Sequence, residues 1–277
     1  MDNFKELWAA RFGTPLPSPV VTDTNPVIST LLSHRTHRQY TGEAIAPDQL
    51  TRILAATFSA PSKSDLQQVS LVHLASAEKQ SAAADLIPSM PWIRDCAEFF
   101  VFCADGRRIV RIAEMRGKPF ANDNLDNFIA SVCDVGLAIQ AFITAAESLG
   151  LGCCPISVVR DRMDDFAQLL SLPERVIPVA GMCLGHPARA GFVSARLPVE
   201  VMCHTDSYDD SNLEAEINAY DQLRDSRFSL PEERQKYRDE FGTAAFYSWS
   251  EDKARQMAKT ERASVTDFVK ANGFSLN

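Results

Sequence analysis

The chain has 277 residues, 45 % of them apolar, and a formal net charge of −8 from 28 Lys and Arg against 36 Asp and Glu. That is enough apolar material for a sizeable core in one or two domains. The acidic balance argues against general binding to nucleic acid or to an anionic membrane surface, both of which need basic excess, but leaves room for a local basic pocket. The start, Met1-Asp2-Asn3-Phe4-Lys5-Glu6, is polar and has no signal-peptide pattern. The seven cysteines are odd in number and match no zinc spacing, so a reducing, cytoplasmic compartment is expected. No membrane span is expected either, because the longest apolar stretch, 125–149, carries Asp126, Asp134 and Glu147.

Residues 1–12 read as a short amphipathic helix with Phe4, Leu7, Trp8 and Phe12 on one face. A connector with Pro15, Pro17 and Pro19 follows. Asn25-Pro26 has the form of a helix start, with Asn as N-cap and Pro in the first helical position. Then comes His34-Arg35-Thr36-His37-Arg38-Gln39-Tyr40, which sets two guanidiniums, two imidazoles and a hydroxyl in five consecutive residues. Such a cluster is either a solvated turn or an anion site. Arg offers a fork matched to phosphate oxygens, and His and Thr add donors. The next helix starts at Pro47 and buries Leu50, Ile53, Leu54 and Phe58. Residues 60–67 form a polar loop in which Ser62, Lys63, Ser64, Asp65 and Gln67 are either solvated or the edge of a ligand site.

Strands are predicted at Val69 to Leu74 and Glu98 to Ala104, with a helix at 76–86 between them. The segment 123–149 has apolar residues at helical spacing around much of its circumference, so a long, central, buried helix is expected. Gly150-Leu151-Gly152 is its stop. A short strand (Cys153 to Val158), a helix near 162–171 and a continuous apolar strand (Val176 to Leu184), covered on both faces, complete the core. From about 199 the chain is polar, with helices predicted at 212–224, 231–239 and 251–271 as a tail wrapped over the core or over a second subunit. The class is α+β, a small mixed sheet packed by helices around one long helix. The expected divisions are 1–24 (helix and connector), 25–198 (core) and 199–277 (helical extension).

Several chemistries lack their motifs. There is no G-x-S-x-G elbow, no Walker loop, and no G-x-G-x-x-G between a strand and a helix. His34 and His37 have no third ligand nearby and stand among arginines, so no metal is expected.

Four separated stretches together resemble the FMN-dependent nitroreductases. Ser33–Tyr40 is similar to the family's H-R-S-x-R-x-F/Y, and Ala60–Gln67 to its A-P-S-S-x-N-x-Q loop. Asp134–Gly152 resembles its long helix ending in A-x-x-L-G-L-G, and Val179–Pro187 its late strand ending in G-x-P. Arg196-Leu197-Pro198, His204, Ser207-Tyr208 and Tyr220-Asp221 resemble the branch of NADPH-dependent flavin reductases and major oxygen-insensitive nitroreductases, which carries a C-terminal helical extension.

The resemblance implies an intertwined homodimer with FMN at its interface. NADPH or NADH would be co-substrate, and the acceptor a nitro compound, quinone or flavin, in ping-pong turnover. It implies that His34, Arg35 and Thr36 bind the FMN phosphate and that Arg196 anchors it from the far side. Arg38 would face the pyrimidine edge, Ser62, Ser64 and Gln67 would serve the ring from the loop, and Pro155, Ile156 and Ser157 would lie against it. The chain departs from the family at Ser194, where the branch has Lys, and at Asp65, where Asn is usual. It departs again at Ser157-Val158, where a glycine pair is usual, and at Pro155, where the family has an aromatic. Arg224, Arg227 and Arg234 are candidates for the NADPH 2′-phosphate. The departures keep open an FMN-binding member with altered or lost nitroreductase activity. A non-enzymatic anion-binding or nucleic-acid-binding helical protein built on the His34–Arg38 cluster is a third reading, opposed by the net charge.

Overall fold

The computed structural model describes residues 3–16 and 23–277, so Pro17 and Pro19 lie outside it. The elements in chain order are α1 (Phe4–Phe12), α2 (Pro26–Ser33), α3 (Pro47–Phe58), β1 (Val69–His73), α4 (Ala77–Leu86), β2 (Glu98–Asp105), α5 (Arg107–Met115), α6 (Leu125–Ser148), β3 (Gly152–Ile156), α7 (Met163–Leu170), β4 (Val176–Gly185), α8 (Val199–Met202), α9 (Leu213–Arg227), α10 (Arg238–Phe241), α11 (Trp249–Met257) and α12 (Val265–Ala271). They gather into two compact units. One is Met1–Ser33 with Phe192–Glu261, and the other is His34–Gly191 with Arg262–Asn277. These units interleave along the chain, unlike the consecutive segments 1–24, 25–198 and 199–277.

The second unit is built on a four-stranded sheet of order β1-β2-β4-β3, antiparallel at every ladder. The expected mixed sheet is thus corrected. β2 and β3 do run in the same direction, but β4 is inserted between them and opposes both. Among the described residues the only parallel pairing is the isolated bridge Thr36↔Cys153. Successive side chains of a strand point to opposite faces, and both faces of this sheet are covered. Phe100, Phe102, Cys153, Met182 and Leu184 join Ile53, Val135, Phe142 and Ala146 in one core. Phe99, Val101, Cys154, Ile156 and Cys183 join Ala83, Ala84, Ile87 and Phe166 in the other. Phe268, Val269 and Phe274 from the chain's end belong to the first.

Helix α6 has 24 residues, about 36 Å at ~1.5 Å per residue. It is the one helix among the described residues long and apolar enough to cross a membrane, yet Val135, Ala138, Phe142 and Ala146 bury one face against the sheet. The opposite face is not buried as expected: Leu125, Ile129 and Leu137 are exposed. Phe58 on α3 is also 55 % exposed rather than buried. In both places an apolar face is left uncovered among the described residues. α5 arises where no element was predicted; its residues alternate charged and apolar at helical spacing, and Ile112 and Met115 remain exposed.

In the first unit, arginines tie distant main-chain carbonyls together, two of them (Arg11 and Arg255) from buried positions. Arg11 donates to Leu32 O at 3.1 and 2.7 Å and to Ser194 O at 2.9 Å. Arg227 donates to Ala9 O and Ala10 O at 2.8 Å each. Leu32 O and Ala10 O lie in the last turns of α2 and α1, where a helix leaves carbonyls without intrahelical donors. Arg255, buried, donates to Lys236 O at 2.9 Å and Gly242 O at 2.8 Å. The predicted helix at 231–239 is instead a 3₁₀ turn, Glu232–Arg234, followed by α10, because Tyr237 is left-handed at φ 51°. The predicted helix at 251–271 is two helices, with left-handed Arg262 (φ 55°) between them.

Candidate functional site

The basic segment is a strand-like strap fixed along the β3 edge of the sheet. Thr36 bridges Cys153, and His37 N donates to Cys153 O at 2.9 Å. Tyr40 bridges Pro187, and Thr41 N donates to His186 O at 3.0 Å. Two glycines make room for it. A Cβ on Gly152 would stand 2.7 Å from the His37 ring, and one on Gly185 would stand 2.7 Å from the Tyr40 ring. The strap therefore lies closer to the sheet than any other residue there would allow.

Side chains of the strap are individually held. His34 Nδ1 meets Glu147 Oε1, near the end of α6, at 2.7 Å. Arg35 Nη1 donates to Ala190 O at 3.2 Å. Arg38 lies over the Trp92 ring, 5.7 Å from its centroid. Burial, then the Arg35 guanidinium, hold His37 below the ordinary imidazole value, with Glu147 opposing. Burial pushes the Tyr40 phenol and the Cys153 and Cys183 thiols up, so all three stay protonated and inert as nucleophiles. Among the described residues no group of His, Cys, Asp or Glu is arranged to hold a metal ion.

β3 continues the same edge. Thr36 is paired two residues before Pro155, which is exposed, while Ile156 is buried. Ser157 opens the 3₁₀ turn Ser157–Asp161. Arg262 donates to Ser157 Oγ at 3.4 Å and lies 2.9 Å from Asp161. His34, Arg35, Thr36 and Arg38 are thus brought together with Pro155, Ile156 and Ser157.

The polar loop stands elsewhere. It leads into β1, at the opposite edge of the sheet, three strand spacings or about 14 Å away. Its backbone is unusual, with φ of 52° at Ser64, 56° at Asp65 and 51° at Gln67, all left-handed. One residue organises it. Asp134 of α6, 2 % exposed, accepts from Ser62 Oγ at 2.6 Å, Lys63 N at 2.9 Å and Gln68 N at 3.0 Å. Ser62 Oγ in turn accepts from Gln67 N at 2.6 Å, and Gln67 Nε2 donates to Asp65 Oδ1 at 3.0 Å. Arg108 of α5 braces the loop's end through Gln67 O. A cleft of about 260 Å³ opens beside it, lined by Phe58, Ser62, Gln67, Arg108 and Asp134 among others.

Arg196 belongs to the first unit. Its N donates to Arg11 O at 2.8 Å, and its guanidinium donates to Ser194 Oγ at 3.0 Å. Of the three candidates for a 2′-phosphate, Arg227 is spent on Ala9 and Ala10, and Arg224 donates to Tyr220 Oη at 3.3 Å and Ala195 O at 3.4 Å. Arg234 is exposed in the turn Glu232–Arg234.

Sequence reasoning passed over Asp134, Glu147, Arg108 and Arg262 as parts of the site. The first two carried a signal. A carboxylate on the core-facing stripe of an apolar helix must find donors there, and the donors it finds mark what the helix is holding.

Comparison with known proteins bears on both regions. Residues 31–186 match the family model "Nitroreductase family", and residues 194–277 match "Nitroreductase family, C-terminal domain". An "FMN reductase (NAD(P)H)" from Bacillus subtilis is 36 % identical over 72 % of this chain and 81 % of its own length. An "oxygen-insensitive NADPH nitroreductase" from Salmonella typhimurium is 31 % identical over 91 % of this chain and 99 % of its own length. A solved "NADPH:FMN oxidoreductase from Vibrio harveyi complexed with NAD+" superposes with a TM-score of 0.79 at 30 % identity, covering 90 % of this chain and 98 % of that one.

Proposed function

For a chain that belongs to the nitroreductase family, we infer an FMN-dependent oxidoreductase that takes hydride from NADPH or NADH and passes it to a nitro compound, quinone or flavin. The observation that carries this reading is the strap on the β3 edge. It sets a phosphate-matched donor group, His34, Arg35 and Thr36, beside the segment Pro155–Ser157, where Pro155 and Ser157 are exposed and Ile156 is buried. That donor chemistry fits the phosphate of FMN.

FMN, when bound, supplies hydride acceptance and donation. The chain's own part is to bind, orient and supply charge. His34, Arg35 and Thr36 hold the phosphate, with Arg196 as its distal anchor. Arg38, fixed over Trp92, sets positive charge at the pyrimidine edge, where it favours the reduced state. Ser64 and Gln67 serve the ring, and Ser62 shapes the loop that presents them, since its hydroxyl is engaged with Asp134 and Gln67. The inert thiols and phenol leave the protein with no nucleophile of its own here. Nicotinamide and acceptor use the site in turn, which predicts ping-pong kinetics.

The working unit is a homodimer. The strap and the loop stand at opposite edges of one sheet, and a two-fold copy supplies the loop missing from each strap. The exposed apolar stripe Leu125, Ile129 and Leu137 is the surface for it. The seven cysteines are free, which fits a reducing cytoplasm.

Anaerobic mixing of the FMN-loaded protein with NADPH, and separately with NADH, tests the reading. Bleaching of the flavin band by at least one of them is expected, and a band unchanged by both would sink it. The hydrogen bond from Arg262 to Ser157, where the family has glycine, favours a narrower second reading, a changed acceptor. Under that reading the bleached protein is reoxidised by quinone or free flavin but not by a nitroaromatic.

A further inference from the structure

The loop 60–68 has a costly shape and a single internal support. Left-handed Ser64, Asp65 and Gln67 are each disfavoured for side-chain-bearing residues. A carboxylate that is 2 % exposed carries a burial penalty of its own. Each offsets the other, because Asp134 receives two backbone N–H groups and one hydroxyl from this loop and, among the described residues, no other hydrogen bond. Around it α6 presents a polar stripe on a face otherwise committed to the core. Asn127 Nδ2 donates to Gln68 Oε1 at 3.1 Å, while Asn127 Oδ1 and Gln68 Nε2 are buried with no hydrogen-bond partner among the described residues. A fold that needed only a connection between α3 and β1 has cheaper ones.

We propose that Asp134 is the positioning residue of the ring end of the site, and that it acts across the dimer by fixing the loop that completes the site of the other subunit. This rests on the FMN reading above. The chemistry is main-chain control. Three charge-assisted hydrogen bonds hold Ser62, Lys63 and Gln68 in place, so the left-handed turn between them presents Ser64 and Gln67 outward in one conformation. An amide at this position keeps the size of the side chain but has a single acceptor oxygen, and its NH₂ meets either the Lys63 N–H or the Gln68 N–H and Ser62 hydroxyl together, all of which donate to Asp134.

The test compares flavin dissociation constants in wild type, Asp134→Asn and Arg35→Ala, using FMN and riboflavin as probes. Circular dichroism and gel filtration serve as fold checks. For Asp134→Asn the constants for FMN and riboflavin should rise together, by about tenfold or more for a lost charged hydrogen bond, with their ratio unchanged because the phosphate end is intact. Unchanged constants in a folded variant would overturn the proposal. If Asp134→Asn does not fold, Ser62→Ala removes one donor to Asp134 together with the acceptor of Gln67 N and should raise both constants about threefold or more, and no rise would count against the proposal equally. Mixed dimers of Asp134→Asn with Arg35→Ala decide the subunit question. Action across the dimer leaves one site with wild-type affinity per dimer, whereas action within the subunit leaves none. A wild-type protein that binds neither flavin would instead defeat the FMN reading itself, so the two failures are distinguishable.

Discussion

The two regions that serve the candidate site are both held by a carboxylate of α6, and they are held differently. Asp134 is buried and saturated by the loop's backbone and Ser62, so it fixes a main-chain shape. Glu147 is half-buried and meets one imidazole, so it orients a side chain on a strap whose main chain is already fixed by the sheet edge. The two acids are thirteen positions apart on one helix, about 20 Å along its axis. The difference teaches which variants should act on shape and which on a single contact.

The largest expected effect is loss of the second copy. Leu137→Asp places a charge in the exposed apolar stripe of α6. The protein should elute as a monomer and lose flavin binding altogether, because strap and loop then remain at opposite edges. A monomer that still binds FMN tightly would break the comparison. Next is the phosphate end. Arg35→Ala should weaken FMN by about 100-fold, from loss of a bidentate charged contact, while riboflavin affinity stays within about twofold. Arg196→Ala should do the same to a lesser degree, about tenfold. Isothermal titration with the two flavins reads all four numbers.

Arg38→Ala sharpens a different contrast. It should slow reduction by NADPH by one to two orders of magnitude, roughly the cost of one preorganised charge donor, with FMN retention nearly unchanged. Stopped-flow absorbance separates the two. The smallest effect is expected at Glu147→Gln. The amide oxygen still accepts from His34 Nδ1, so FMN should weaken only about threefold, the scale of one neutral-for-charged hydrogen bond, and riboflavin not at all.

Much of the fold was legible because its signals are local. The apolar runs at 98–105 and 176–185, the helical period of 125–148 and the Asn25 cap, where Ile28 N donates to Asn25 Oδ1 at 3.0 Å, all depend on neighbours in sequence. What was not legible depends on partners far away. The sheet read as mixed because helices and strands intermix along the chain around one long helix, and nothing in β2 or β3 reveals that β4 will come between them. Phe58 and one face of α6 read as buried because apolarity does not say whether the cover comes from the same chain. Arg227 read as a ligand residue, and only the folded first unit shows it spent on the end of α1. At the site, donor-rich residues were visible one by one in the strap and the loop. The acids that organise them were hidden among the apolar residues of α6.

The most direct test of the central claim is the visible absorbance spectrum of the protein after mixing with FMN and removing free flavin by gel filtration. Co-elution of a flavin band with the dimer, at about one FMN per subunit, is predicted. A colourless protein fraction, with all flavin in the small-molecule volume, would contradict the account.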